Sequence, residues 1–337
     1  MGETYVYVGL AGDTDTGRFV SAGLLRSREG EGAWEPLDAA FPAPPQVRAI
    51  LTDPAHPGRV TIGTQDGIWR SDDAGQHWQR LAAPAPGLAV WSLARHPREP
   101  RTILTGYEPA AVLRSDDDGA SWRGLFVEWR FPEITLWPEP SPKRVTGIAV
   151  DPANPSNIYV SLEVGGLHKS ADDGRRWSCL AEGLYIADDA VDLHGVAVSP
   201  VTPGRVTAVG RIGAFRSDDG GQRWRPLAIP LLRPRGTYCR VVAYAPDDAR
   251  TLYIGAGNDF DGDLGALLVS RDDGESWSQA DLSVRLKCTV FALAFAPERV
   301  FCASKYGQVF LSLDRGATWR MNPLPPGAGH VFALGAG

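Results

Sequence analysis

Two arginines and a histidine stand at the same point of a pattern that recurs along this sequence. Arg48, His194 and Arg240 each lie six residues before a proline that ends a short apolar segment. The residues at the same point of the other segments are Trp91, Thr146 and Phe291, with Phe332 near the end of the chain. Packing alone would favour apolar or small side chains at such a level. Guanidinium groups that converge on one cavity are suited to bind a carboxylate or a phosphate.

A second set of polar side chains follows the next apolar segment of several repeats. It comprises Gln65, Tyr107, Glu108, Glu163, Arg211 and Lys305. Glu163, Asp192 and His194 have the side chains of general acids and bases, and we predict catalytic roles for them. Asp192 or Glu163, together with His194, could instead hold a divalent metal ion. A water-filled channel whose charges pair with one another is the purely structural alternative.

The residues that would contact a substrate follow from the same alignment. We predict binding roles for Arg48, Trp91, Tyr107, Trp129, Arg211, Arg240 and Lys305. All but Trp129 belong to the two recurring levels, and Trp129 lies in an insertion that is rich in aromatic residues.

An eight-residue phrase, Ser-x-Asp-x-Gly-x-x-Trp, sets the frame that must position these side chains. Its six copies begin at Ser71, Ser115, Ser170, Ser217, Ser270 and Ser312, and a decayed seventh copy runs from Ser27 to Trp34. From one serine to the next the steps are 44, 44, 55, 47, 53 and 42 residues. A period of about 40–50 residues built from short strands is typical of a propeller blade.

Each repeat reads as four strands, named A to D from the channel outwards. Strand A is the apolar segment before the proline, as in 145–150 and 193–198, and strand C runs into the repeated phrase. The phrase then forms the turn from C to D, because Ser and Asp bond to nearby backbone N–H groups and Gly tolerates a positive φ. This use of the carboxylates argues against a calcium or catalytic array of six aspartates.

The phrase resembles the Asp-box repeat, also called the BNR repeat, and the resemblance covers the chain apart from its insertions. It implies an all-β, seven-bladed β-propeller of four-stranded antiparallel blades. In that family the repeated turn lies at the outer edge of the blade, away from the active-site mouth. Sialidases, xyloglucanases, sortilin-like receptors and photosystem II assembly factors share the repeat, so it implies a fold more than an activity.

The two ends of the chain predict how the ring closes. Tyr5-Val6-Tyr7-Val8-Gly9 matches a strand B, and Val331-Phe332-Ala333-Leu334 matches a strand A. We therefore expect one domain, 1–337, in which the last strand, 330–335, completes the first blade and hides the sheet edges.

Three segments depart from the repeat, and strand alternation places all of them on the face opposite the repeated phrase. They are 10–22, 126–144 and 256–265. Loops that vary on a rigid scaffold are often functional. Trp129, Phe131 and Trp137 would give this face an aromatic surface for a protein or a glycan, while the run Asn258–Asp263 reads as a solvated Asp/Gly loop rather than a calcium site.

Composition restricts the possible partners and locations. The net charge of −6 disfavours a nucleic-acid partner. Apolar runs stay short of a membrane span, the first residues lack the features of a signal peptide, and the four cysteines show no paired spacing. We expect a cytoplasmic protein with reduced thiols.

Two functions from different classes remain open. The first is a hydrolase-like propeller that binds a small anionic or sugar-like substrate at the channel mouth, opposite the repeated turns. The alternative is a non-catalytic propeller that binds a protein or a glycan through the insertion face. The resemblance would give Arg48, Arg211, Arg240, Tyr107 and Glu163 the types found in sialidase sites. However, the Phe-Arg-Ile-Pro motif of those enzymes is absent, and a single ring lacks half of a xyloglucanase cleft.

Overall fold

Strand pairing follows the repeat along the whole chain. The structure is a computed structural model that describes residues 4–12, 21–29, 32–83, 87–130, 142–180, 184, 188–234 and 236–337. These residues form seven antiparallel sheets of four strands each. The predicted fold class, an all-β seven-bladed propeller, is confirmed.

The first four blades take up the amino-terminal half of the chain. Blade 1 contains β1 (Tyr5–Ala11), β2 (Ala22–Arg28) and β3 (Glu35–Pro36), and blade 2 contains β4 (Ala49–Thr52), β5 (Val60–Thr64), β6 (Gly67–Ser71) and β7 (Gln79–Arg80). Blade 3 contains β8 (Ala89–Arg95), β9 (Ile103–Glu108), β10 (Val112–Ser115) and β11 (Arg123–Leu125). Blade 4 contains β12 (Val145–Val150), β13 (Ile158–Leu162), β14 (Gly166–Ser170) and β15 (Ser178–Cys179).

The last three blades and the closing strand follow the same plan. Blade 5 contains β16 (Leu193–Val198), β17 (Val206–Gly210), β18 (Gly213–Ser217) and β19 (Arg225–Pro226). Blade 6 contains β20 (Tyr238–Ala245), β21 (Asp248–Gly257), β22 (Gly265–Ser270) and β23 (Ser278–Gln279). Blade 7 contains β24 (Val290–Ala296), β25 (Arg299–Ser304), β26 (Val309–Ser312) and β27 (Arg320–Met321), and β28 (Val331–Ala336) follows it. Short 3-10 turns occur at Asp38–Ala40 and Asp188–Val191.

The carboxy-terminal strand completes blade 1, as predicted. β28 pairs antiparallel with β1, with Val8 opposite Leu334. The N–H of Tyr5 donates to the carbonyl of Gly337 at 2.8 Å, which extends the pairing to the last residue. Leu334 also shares a core cluster with Phe301 and Leu311 of blade 7, so the closing strand joins the first and last blades.

Small residues in strand B let neighbouring blades approach closely. A Cβ built on Gly63 of β5 would lie 2.4 Å from Cγ1 of Val90 in the next blade, and one built on Gly106 of β9 would lie 2.3 Å from Cγ1 of Val145. Val90 and Val145 are fully buried. Such spacing is closer than carbon atoms can pack, so glycine is required at both positions.

The repeated phrase forms the same hydrogen-bonded turn in each of its six copies. In the second copy the hydroxyl of Ser115 donates to Asp117 Oδ1 at 2.8 Å and accepts the N–H of Gly119 at 2.7 Å. Asp117 also accepts the hydroxyl and the N–H of Ser121, and these bonds, with that of Ser115, lower the pKa of its carboxyl to about 2. The equivalent serines and glycines repeat this pattern around the ring.

These turns also brace one blade against the next. Arg70, which precedes the turn of blade 2, donates to the carbonyl of Asp118 in the turn of blade 3 at 2.7 Å. Arg216 reaches the carbonyl of Gly274 in the next blade in the same way, at 3.1 Å. The polar groups of the turns therefore serve the architecture, as the sequence analysis predicted.

The turns share one face of the ring with the hairpins that join strands A and B. The N–H of Ala74 in the turn of blade 2 donates to Gly58 in the A–B hairpin at 2.7 Å, and the N–H of Asp118 donates to Arg101 at 2.8 Å. The first residues of each strand A consequently lie at the opposite face. Among the described residues, the helices are too short and too polar to cross a membrane.

Candidate ligand-binding site at the channel mouth

A β-bulge at the start of the inner strands aims one extra side chain of each toward the channel. The residues that the strand register passes over are Trp91, Thr146, His194, Arg240, Phe291 and Phe332. Each of the first five lies six residues before its proline. Bulges re-aim side chains and are frequent beside functional sites. The side chains that were predicted to lie at one height of the channel therefore occupy the same structural position in their blades.

The seven side chains of this level line a central cavity of about 240 Å³. Arg48 completes the set, since it lies directly before β4 and its N–H donates to Gly63 at 3.0 Å. Further along the channel the cavity is lined by branched aliphatic residues, among them Ile50, Leu93, Ile148 and Val242. The mouth is thus polar and aromatic, while the interior of the channel is apolar.

Arg240 has the least engaged cationic group at this mouth. Its guanidinium lies 4.9 Å from the ring centre of Phe291 and 5.9 Å from that of Phe332. No hydrogen bond or ion pair joins its side chain to another residue of the described part of the chain, and the side chain is half-buried at the cavity. Aromatic faces hold a guanidinium in place without using its N–H donors. Those donors are available to a ligand in the channel.

Tyr238 adds a hydroxyl beside Arg240. The side chain is buried and its ring centre lies 4.7 Å from that of His194. Burial raises the pKa of Tyr238 well above its usual value, against the opposing charge of Arg240, so the hydroxyl is a proton donor at neutral pH.

Glu163, Asp192 and His194, the residues predicted to be catalytic, meet beside these two residues. One ligand atom from each lies within 4.8 Å of the others. His194 Nδ1 donates to the carbonyl of Cys239 at 2.8 Å, and Nε2 lies 3.4 Å from Asp192 Oδ1. Burial raises the pKa of Glu163, although Arg144 opposes the shift. Burial would also raise the pKa of Asp192, but His194, Arg211 and Arg240 hold it below its usual value.

Arg144 was not predicted, yet it is central to the site. It is buried, its Nε lies 3.0 Å from Glu163 Oε2 and its guanidinium lies 4.5 Å from the ring centre of Trp91. Arg48 lies against the same ring at 4.9 Å and donates to Gln46 Oε1 at 2.6 Å.

The sequence contained a signal for Arg144. Arg144, Asp192 and Tyr238 each lie eight residues before the proline of their repeat, two residues before the bulge. Residues two apart in a strand share a face, so reading the repeat at this second offset would have found both Arg144 and Tyr238.

Two predicted binding residues lie elsewhere. Tyr107 is fully buried between blades with Ile68 and Val90, and it does not reach the mouth. Side chains alternate along β9, so Tyr107 points into the core where Glu108 points to the mouth. Trp129 donates to the carbonyl of Ala110 at 3.0 Å and packs edge-on against the ring of His168 at 5.1 Å. The ring of Trp129 therefore packs between blades rather than lining the channel.

The structure also locates Arg211 and Lys305, the other two residues that were predicted to bind a ligand. Arg211 is exposed, and its N–H donates to the carbonyl of Asp192 at 3.1 Å. Lys305 is buried, pairs with Asp261 and lies 3.4 Å from the ring centre of Phe260. Phe131 and Trp137, which were expected to form an aromatic surface with Trp129, lie outside the described residues.

The loop between β21 and β22 covers part of the mouth. Phe260 packs edge-on against Phe291 at 5.5 Å and Tyr238 at 6.5 Å. Asn258 forms two hydrogen bonds within the loop. Its side-chain amide donates to Asp263 at 2.9 Å, and its Oδ1 accepts the N–H of Leu264 at 3.1 Å. The polar groups of this segment therefore stabilise a closed turn, in agreement with the prediction of an Asp/Gly loop.

Comparison with known proteins returns other propellers. No protein-family model matches the chain. It is 21% identical over 316 residues to a photosystem II assembly lipoprotein, Ycf48, of Synechococcus, which covers 82% of this chain and 87% of that protein. A solved structure of Ycf48 bound to a D1 peptide superposes with a TM-score of 0.59 at 19% identity, over 84% of this chain and 82% of that one.

A solved structure of a glycoside hydrolase resembles this chain about as closely as that of Ycf48 does. The GH74 xyloglucanase of Xanthomonas campestris superposes with a TM-score of 0.62 at 21% identity, over 82% of this chain but only 45% of the enzyme. These similarities show a fold common to binding proteins and to enzymes. The function must therefore be argued from the residues at the channel mouth.

Proposed function

We propose that this protein binds an anionic group, such as the carboxylate of a peptide, at the channel mouth on the face opposite the repeated turns. The observation that carries the proposal is the guanidinium of Arg240, which lies on two aromatic rings and has no hydrogen-bond partner among the described residues. We further propose that the repeated turns are Asp-box repeats, which hold the blades in register.

The surroundings of Arg240 suit a carboxylate. Arginine presents its N–H groups in a planar fork that matches the two oxygens of a carboxylate. Tyr238 adds a hydroxyl donor that burial keeps protonated. The ring of Phe291 below the guanidinium adds an apolar surface for the carbon atoms of the ligand.

A peptide is the ligand class that the comparisons favour. The superposition with Ycf48 bound to a D1 peptide covers most of both chains. The cavity of about 240 Å³ would admit a terminal carboxylate and part of a side chain rather than a long saccharide. A protein with an accessible carboxyl terminus is therefore the proposed type of partner.

Binding can be measured with N-acetylated pentapeptides of random sequence that carry a fluorophore and a free carboxyl terminus. The same peptides as carboxyl-terminal amides test whether the negative charge is needed. Charge-assisted hydrogen bonds contribute about 1.5–3 kcal/mol, so Arg240→Gln should weaken binding of the acids about 10- to 150-fold. Arg225→Gln is the matched control, because Arg225 lies on the outer strand β19 with an exposed side chain. Equal binding of acids and amides would reject the proposal.

Hydrolysis of a small anionic or sugar-like substrate is the second candidate. It is favoured by the meeting of Glu163, Asp192 and His194 beside the cavity, since acid and base groups are then within reach of one ligand. Turnover of ester, phosphoester and glycoside panels by the wild type, and its loss in Glu163→Gln, would support this candidate. Trace activity that persists unchanged in Glu163→Gln would exclude these residues as its source.

A further inference from the structure

Three electron-pair donors converge at the channel mouth without enough hydrogen-bond donors to satisfy them. Asp192 Oδ1 and Glu163 Oε2 are buried, and neither forms a well-aligned hydrogen bond with the described residues, although Arg144 Nε lies 3.0 Å from Glu163 Oε2 and His194 Nε2 lies 3.4 Å from Asp192 Oδ1. His194 Nε2 is the third atom, and all three lie within 4.8 Å of one another. Buried acceptors of this kind are costly unless a proton or a cation compensates them.

The orientation of the His194 ring is also that of a histidine that ligates a metal ion. Its Nδ1 donates to the carbonyl of Cys239, which fixes the ring and leaves Nε2 as the atom that faces Asp192 at 3.4 Å. In the neutral ring Nε2 is an acceptor, so two acceptors face each other. A histidine that ligates a metal commonly donates its other ring N–H to a backbone carbonyl in this way.

Rigid elements hold the three side chains. Asp192 and His194 flank Leu193, the first residue of β16, and the bulge of that strand fixes their relative orientation. Glu163 follows the end of β13, and its N–H donates to the carbonyl of Arg144 at 3.0 Å. His194 lies within β16, and Asp192 and Glu163 are each one residue beyond a strand end, so the strands fix the backbone of all three.

The cationic neighbours leave room for one more positive charge. Arg144 approaches Glu163 Oε2 at 3.0 Å and Glu108 at 3.8 Å, so it is shared between two carboxylates. Arg240 acts on both carboxylates through space, without an ion pair to Glu163 or Asp192 among the contacts of the described residues. A carboxylate has two oxygens, so Glu163 can contact Arg144 and a metal ion at the same time.

We propose that Glu163, Asp192 and His194 bind one divalent transition-metal ion, such as Zn²⁺, at the channel mouth. Two carboxylate oxygens and one imidazole nitrogen form a donor set for zinc, manganese or iron, rather than the all-oxygen set that calcium prefers. The remaining coordination positions would face the cavity. Metal binding goes beyond the proposed anion binding, because Arg240 and Tyr238 contribute no ligand to it.

The test begins with the full-length protein treated with EDTA and then desalted. Titration calorimetry with Zn²⁺ should show one ion per chain, and Co²⁺ should give visible absorption bands from the bound ion. Asp192→Asn and His194→Ala should each weaken Zn²⁺ binding about tenfold or more. Glu163→Gln preserves shape and size, so it remains informative if His194→Ala fails to fold.

The control variant is Glu108→Gln, since Glu108 also lies near Arg144 but outside the cluster of three. It should bind Zn²⁺ as the wild type does. Failure of the wild type to take up Zn²⁺ or Co²⁺ at tenfold excess would overturn the proposal. Uptake that is unchanged in the Asp192, His194 and Glu163 variants would also overturn it.

Peptide binding measured in EDTA keeps the two proposals separate. Arg240→Gln should lose the peptide and retain Zn²⁺, whereas His194→Ala should lose Zn²⁺. A protein that binds peptides but no metal refutes only the metal site. One that binds metal but does not distinguish acids from amides refutes only the proposed function.

Discussion

Replacement of Gly63 by alanine tests how closely the blades pack. The new methyl group would lie 2.4 Å from Val90 Cγ1 and 2.9 Å from Val90 Cβ, where carbon atoms normally stay about 3.5–4.0 Å apart. Neighbouring blades would have to separate by about an ångström, and such overpacking costs about 1–3 kcal/mol. Gly124→Ala is the matched control, since its methyl group would meet only Leu113 Cδ2, at 3.8 Å.

A double-mutant cycle with Val90→Ala makes the test specific. Removing two buried methyl groups from Val90 costs about 2 kcal/mol alone. In the double variant alanine removes the closest contact, at Cγ1, and leaves only that at Cβ, so the combined loss should be smaller than the sum by about 1 kcal/mol. Urea titration of the free energy of unfolding measures all four proteins. Strictly additive losses, or a Gly63→Ala variant as stable as Gly124→Ala, would refute the packing argument.

Other consequences of the structure can be measured separately. Phe291→Leu removes an aromatic face from Arg240, so peptide binding by fluorescence polarisation should weaken about 2- to 30-fold, which corresponds to about 0.5–2 kcal/mol; unchanged affinity would show that the ring does not support the guanidinium. The lowered pKa of Asp117 contributes stability above about pH 4, which is lost as pH falls through its folded pKa of about 2. The destabilisation by Asp117→Asn, followed by thermal unfolding, should therefore be largest at neutral pH and shrink below pH 4; a constant difference would contradict this. Deletion of 330–337 removes the inner strand of blade 1 and should abolish stable folding; a soluble monomer with an unchanged melting temperature would contradict the closure.

Much of the architecture could be predicted because it repeats. The spacing of the phrase indicated seven blades, and the match of Val331–Leu334 to a strand A indicated the closure that β28 forms. The hydrogen bonds of the repeated turn could also be predicted, since Ser115 and Asp117 bond to each other within one eight-residue phrase. Local interactions of this kind depend on few residues, so the sequence determines them directly.

The site was predictable only at positions that the repeat aligns. The bulge residues His194 and Arg240 line the channel as expected, because each blade places its bulge at the same height. Tyr107 was predicted to lie at the mouth, but side-chain alternation along β9 turns it into the core. Trp129 was predicted to contact the ligand, but its ring is held by Ala110 and His168, which come from other elements. Such contacts depend on how the blades pack, and no spacing in the sequence reveals them.

The most direct test of the proposed function is a crystal structure of the protein with a bound carboxyl-terminal peptide. We predict that one carboxylate oxygen lies about 2.8 Å from a guanidinium nitrogen of Arg240, with the second oxygen near the hydroxyl of Tyr238. Phe291 should remain stacked below the guanidinium. A peptide bound on the face of the repeated turns, or a carboxylate that points to solvent with Arg240 unengaged, would contradict the account.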